Sequence, residues 1–258
     1  MTHGFQFYLG SHHPNWLWRH DQSFFVSDTR LRRQNSWGEA RRPWALDPGG
    51  FSELNKFGEW RTSHLAYAHR VQRYQAEIGK LRWVAPQDWM CEEGVLKKTG
   101  LSVKAHQFRT VMSVVVLRQI LGKMVIPVLQ GWQAEDYLRH ADMYAKFGFD
   151  LASEAVVGVG SVCRRQTLTP IHALIRELHA RGVKVHAFGF KADGLRVLKA
   201  FLSSSDSMAW FDGARWRGNN PLCPGLKKSC SNCLHAALEW KGRLAAEVGN
   251  IEGLEGVA

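Results

Sequence analysis

An acid, a proline and two glycines close an apolar run in the stretch ALDPGGF, Ala45–Phe51. Pro48 fixes φ and removes a donor, and Gly49 and Gly50 admit backbone angles and close approaches that other residues resist. Asp47 therefore reads either as the acidic corner of a tight turn or as a carboxylate at a strand end beside bare backbone that admits a ligand. Similar positions recur. Asp88 follows an apolar run in APQDW, Gln130-Gly131 ends MVIPVLQ, Gly158 and Gly160 lie in VGVGS, Gly189 in HAFGF, and Asp206 precedes SMAWF. Carboxylates can act as acid, base or nucleophile, although an Asp after a strand is also an ordinary turn or helix cap. A second constellation lies near the C-terminus, where CPGLKKSCSNCLH supplies Cys223, Cys230, Cys233 and His235. Three thiolates and an imidazole make a structural zinc shell, with buried thiols as the alternative. Cys91 and Cys163 read as ordinary buried residues.

These residues need a scaffold that gathers strand ends. Eight short β-like runs are expected at 5–10, 23–27, 44–46, 81–86, 124–130, 155–161, 183–190 and 207–211. Helical patterns separate most of them, which predicts parallel βαβ units. The clearest helices are AEDYLRHADMYAKFG, TPIHALIRELHARG and DGLRVLKAFL, the first two closed by a glycine C-cap. Between the first two strands no helix is obvious. The fold class is α/β, a (β/α)₈ TIM-like barrel with a small C-terminal zinc-binding segment over 221–240, and a doubly wound open sheet is the alternative. In a barrel, the C-terminal strand ends form one rim, where the polar groups above would converge. No internal linker divides the 258 residues, so 1–258 reads as a single domain.

The net charge of +11 favours a polyanionic partner. Basic residues gather in RLRRQNSWGEARRP, at Arg164 and Arg165, at Arg215 and Arg217, and at Lys227-Lys228. They are either solvated surface or phosphate contacts. No apolar run approaches the roughly 20 residues that span a bilayer, and the N-terminus lacks a secretory pattern. Clustered cysteines suit a metal site in a reducing compartment, and a cytoplasmic protein is expected.

In order along residues 40 to 235, several stretches resemble the tRNA-guanine transglycosylases. LDPGGFSEL resembles their Asp-Ser-Gly-Gly-Phe-Gln segment, PVLQGW their Val-Gln-Gly strand end, and VVGVGSV their glycine-rich base-contacting loop. KVHAFGFKADGLRVL resembles a late strand and helix, and SDSMAWFDGAR the nucleophile segment. The chain is shorter than the tRNA enzymes, carries Pro48 where they have Ser, and differs in cysteine pattern. Its compact form and CPGLKKSCSNCLHAALEW ending look more like the phage and bacterial branch that exchanges guanine in DNA for a 7-deazaguanine. Those enzymes would place it in the host cytoplasm if phage-encoded.

The resemblance implies a glycosyl transfer with Asp206 as nucleophile at C1′ and Asp47 as acid/base, needing neither a redox cofactor nor ATP. It further implies Asp88, Gln130 and Gly160 around the base, with Gly49 and Gly50 letting the backbone approach. Arg164, Arg165, Arg215 and Arg217 would contact DNA phosphates, and Cys223, Cys230, Cys233 and His235 would hold structural zinc. Trp89 and Trp132 could stack on nucleic acid or fill the core. Two other readings stay open: the same chemistry on tRNA, and a non-catalytic nucleic-acid-binding barrel, against which the presence of both Asp47 and Asp206 argues.

Overall fold

The computed structural model describes residues 4–163, 165–211 and 230–249. Eight strands form one all-parallel sheet: β1 (Gln6–Ser11), β2 (Phe24–Ser27), β3 (Trp44–Asp47), β4 (Leu81–Val84), β5 (Val128–Leu129), β6 (Val157–Val159), β7 (Val185–Ala187) and β8 (Ser204–Ser207). Their order is β4-β3-β2-β1-β8-β7-β6-β5, so the first and last strands pair in the middle of the sheet. Val84 of the edge strand β4 forms one isolated parallel bridge with Val125, just ahead of the other edge strand β5, and the Ile126 N–H donates to the Val84 carbonyl at 3.1 Å.

Helices fill every crossover, as parallel strands require. A one-turn helix α1 (Trp16–Arg19) connects β1 and β2, where the sequence suggests none, and α2 (Asp28–Leu31) follows β2. The long helical pattern after β3 is two helices, α3 (Gly50–Phe57) and α4 (His64–Glu77). Gly58 at φ +72° ends the first, and the Ser63 hydroxyl caps the second. Next come α5 (Glu93–Thr99), α6 (Val103–Leu121), α7 (Ala134–Lys146), α8 (Thr169–Ala180) and α9 (Ala192–Leu198). The glycines expected to close α7 and α8, Gly148 and Gly182, both take positive φ. The final helix α10 (Leu234–Val248) packs Leu244 and Trp240 against Phe7 and its neighbours.

Period-two alternation sorts the strands into two faces. Phe7, Leu9, Phe24, Val26, Trp44, Leu46, Val185 and Ala187 face the helices and build two large apolar clusters. Tyr8, Phe25, Ala45, Trp83, Val128 and Phe188 pack together on the opposite face. Asp47 continues that inner face two residues beyond Ala45, and Gln130 two beyond Val128. Alternation thus aims both polar ends at the same interior as the aromatic rings.

The last strand corrects the sequence reading. It is SSDS, 204–207, and residues 209–211 of SMAWF are helical, so Asp206 lies inside the strand. Serine has poor strand propensity, but tertiary pairing overrides it here. All four residues are buried between β1 and β7. The Ser205 hydroxyl donates to the Ala187 carbonyl at 2.7 Å, and Ser204 Oγ lies 2.8 Å from His186 Nδ1. Among the described residues, no helix is long and apolar enough to cross a membrane.

Candidate active site

A cavity of about 530 Å³ opens where the strands end, within the range of small-molecule sites. Asp47, Gly50, Asp88, Gln130, Gly160 and Asp206, all singled out in the sequence, line it, together with Arg165 at its wall. Gly49 stands just behind. Its φ of +90° starts α3, and a Cβ there would strike Thr29. Two glycines are thus needed at the end of β3, one for the turn and one for the cavity surface.

Asp206 is 6 % exposed. The Gly189 N–H donates to its Oδ1 at 3.0 Å, and His186 Nε2 lies 3.3 Å from the same oxygen. His186 is fully buried among Tyr8, Phe25, Trp83 and Phe188. The described contacts of Asp206 thus concentrate on one carboxylate oxygen. The sequence reading missed His186, although its place in VKVHAFGF, two residues from Phe188, puts it on the inner face.

Burial raises the Asp47 carboxyl to about 6, against hydrogen bonds from Ser27 and the Gly49 N–H, and the negative charges of Asp206 and Asp28 add to the rise. Burial raises Asp88 further, to about 7, opposed by Gln130 and reinforced by Asp47. Carboxylates sharing one cavity cannot all ionise freely, so protons stay available near neutral pH. That is the property an acid/base pair needs.

Gln130 joins the ends of β4 and β5. Its Nε2 donates to Asp88 Oδ2 at 2.5 Å, and its Oε1 accepts from the Ser161 hydroxyl at 2.7 Å. Its backbone is clamped as well. The Gln130 N–H donates to His140 Nδ1 at 2.9 Å, and Gln107 Nε2 donates to its carbonyl at 2.8 Å. Burial lowers the His140 pKa to about 4, so this imidazole is neutral and able to accept.

Gly160 serves this carboxamide through its missing side chain. Its N–H donates to the Leu129 carbonyl, its own carbonyl accepts from the Tyr137 hydroxyl, and a Cβ would fall on Gln130 Nε2, with Cδ at 2.8 Å. Gly160→Ala is therefore expected to push Gln130 off Asp88. A crystal structure of the variant checks this, and an unmoved Gln130–Asp88 contact contradicts it.

Ser161 and Glu92 also line the cavity and were not singled out in the sequence. Ser161 sits at φ +56°, unusual for a residue with a side chain. Its neighbourhood is legible in VVGVGSV, but nothing in DWMCEEG marks Glu92. Phe51 stands at the mouth, 63 % exposed. Arg165 stacks over Trp132, 4.1 Å from guanidinium to ring centre, which places that tryptophan at the site, whereas Trp89 is buried.

Arg164, Arg215, Arg217 and Cys223 lie outside the described residues. Cys230 is buried and Cys233 caps α10 one 3₁₀ turn later, with His235 exposed in the first turn of that helix. Among the described residues, no three His, Cys, Asp or Glu side chains are placed to hold a metal.

No curated protein matches the chain. A family model described as DpdA, DeoxyPurine in DNA protein A, matches residues 1–257. With carboxylates, carboxamide and glycines gathered at the strand ends, and with that match across nearly every residue, the chain belongs to DpdA, a DNA 7-deazaguanine transglycosylase family in a branch of the tRNA-guanine transglycosylase superfamily.

Proposed function

We propose that this protein exchanges guanine in DNA for a 7-deazaguanine through a covalent Asp206–sugar intermediate, inside a closed (β/α)₈ barrel whose seam is the β4–β5 bridge. The observation that carries the reading is the meeting of Asp47, Asp88 and Asp206 with Gln130 in one cavity. The Asp206 oxygen that faces neither Gly189 nor His186 attacks C1′ as the C1′–N9 bond breaks. Asp47 gives its proton to the departing guanine. In the second half, Asp47 takes the N9 proton of the incoming base, N9 attacks C1′, and Asp206 leaves as carboxylate. Asp88 accepts from the N1–H and the exocyclic amine of guanine, and the second hydrogen on Gln130 Nε2 reaches O6.

A base held this deep must leave the stack, so the substrate is a flipped or single-stranded nucleotide. Arg165 stands at the wall to meet phosphate, with Arg164, Arg215 and Arg217 assigned the same role from their positions in the sequence. A structural zinc on Cys223, Cys230, Cys233 and His235 rests on residue type and spacing. It would contribute folding free energy and no step of the chemistry.

The test is incubation of the purified chain with labelled guanine and single-stranded DNA, duplex DNA or tRNA. Label entering DNA is expected. Label entering tRNA alone would keep the chemistry and change the polymer.

A further inference from the structure

One histidine is sealed beside Asp206. The His186 ring is fully buried, with the rings of Phe188 at 4.7 Å, Trp83 at 4.8 Å, Phe25 at 5.9 Å and Tyr8 at 6.1 Å, none of them face to face with it. A polar ring in apolar company is costly unless both nitrogens have partners. Ser204 and Asp206, two apart on β8, face the same side, so one ring on β7 reaches both. Nδ1 lies 2.8 Å from Ser204 Oγ, and Nε2 lies 3.3 Å from Asp206 Oδ1. Nε2 carries a hydrogen, because without one its lone pair would face the carboxylate. In the singly protonated ring, Nδ1 then accepts from the Ser204 hydroxyl.

The Gly189 N–H is a second donor to the same oxygen, at 3.0 Å. In the base-exchange reading the other oxygen, Oδ2, attacks C1′, and the attack uses up the charge. Oδ2 becomes the bridging oxygen of an ester, and Oδ1 becomes its neutral carbonyl. When N9 of the incoming base attacks C1′, the C1′–Oδ2 bond breaks and its electron pair returns to the carboxylate, spread over both oxygens. A hydrogen bond to a carboxylate is stronger than one to a neutral carbonyl. A donor fixed on Oδ1 therefore favours the free carboxylate over the ester. His186 does not line the cavity, so it acts through Asp206 and not on the base.

We infer that His186 is a positioning residue that makes Asp206 a good leaving group, so that the sugar-bound intermediate discharges onto the incoming base instead of accumulating. The inference rests on the base-exchange reading above. Ser204 serves the same end, because its hydroxyl on Nδ1 keeps the Nε2–H turned towards Asp206. The cost falls on the first half of the reaction, where the same donor holds back the attack of Oδ2. An exchange enzyme gains from this balance, since an ester that is too stable leaves the protein joined to its DNA.

The test measures the covalent adduct. Protein is incubated with a labelled DNA oligonucleotide, free guanine is titrated in, and protein-bound DNA is quantified on a denaturing gel. His186→Asn places its amide near Ser204 but is too short for Asp206, whereas His186→Gln can still donate to Oδ1. The asparagine variant is expected to need roughly fivefold to tenfold more guanine than wild type to discharge half of its adduct, and the glutamine variant should stay nearer to wild type. A merely structural histidine would lower the melting temperature of both variants and leave this midpoint where it was. A midpoint in His186→Asn at or below that of wild type, equal midpoints in the two variants, or guanine exchange with no adduct in His186→Asn overturns the assignment. If His186→Asn does not fold, NMR of wild-type protein carrying nitrogen-15 histidine decides. The buried Nε2–H proton should move upfield as the adduct forms and Oδ1 loses its charge, and an unmoved proton overturns the assignment. Wild-type protein separates the two levels. If it neither releases guanine nor forms an adduct, the base-exchange reading itself fails and this one with it; if it releases guanine and the midpoints do not differ, only the role of His186 falls.

Discussion

Replacing Asp206 by Asn is expected to lower base exchange by roughly 10⁴-fold or more while the protein still folds and binds DNA. A carboxamide has nearly the same shape, and its oxygen can still accept from the Gly189 N–H. The strand needs no new packing, because β8 is held by backbone pairing to β1 and β7. What is lost is the second anionic oxygen that would bond to C1′. The measurement is release of labelled guanine under single-turnover conditions, with DNA binding followed in parallel. Release at close to the wild-type rate would remove Asp206 from the chemistry. A melting temperature far below wild type would instead give the carboxylate a structural role beside His186.

The second large effect is in the pH dependence, where Asp47 and Asp88 act in opposite senses. In the proposed reaction Asp47, raised to about 6, holds a proton to give to the leaving guanine. Its protonated fraction falls as pH rises through 6, so guanine release at saturating DNA should slow over that interval. Asp47→Asn should remove this limb and cost roughly 10²–10⁴-fold in rate. In the same proposal Asp88, raised to about 7, is ionised to accept from N1–H and the amine. Affinity for the free base should therefore weaken as pH falls through 7, and Asp88→Asn should flatten that dependence. Because the Asp47 charge raises the Asp88 pKa, Asp47→Asn should also shift the Asp88 limb downward. Rapid-quench rates and base KM values across this interval check both. Guanine release that keeps rising through pH 7 would take Asp47 out of the acid's role.

Much of this site was legible because its residues carry backbone constraints. Pro48, Gly49 and Gly50 announce a sharp strand end, and Gly158 and Gly160 announce a place where something comes close. At Gly158 that something is Phe188, and at Gly160 it is Gln130. The strands were legible where branched and aromatic residues fill them. They were not at 204–207, where serines rely on buried hydrogen bonds that no local pattern reveals. Gly58 splits one helical pattern into α3 and α4, a stop that the apolar spacing alone does not give. The C-terminal segment drew attention through its thiols, so α10 and its packing against β1 went unread. Glu92 and Ser161 meet across 69 positions of sequence, and only the fold brings them together.

The joint between β4 and β5 has a consequence for motion. Seven of the strand neighbours share a ladder of two or more paired positions, whereas this pair shares one bridge. Few backbone hydrogen bonds mean a low local free energy of opening. Asp88 follows one side of this joint and Gln130 the other, so their hydrogen bond is a latch across it. Opening along this line would pull Asp88 and Gln130 apart. The two strands that part most readily are the ones followed by Asp88 and Gln130.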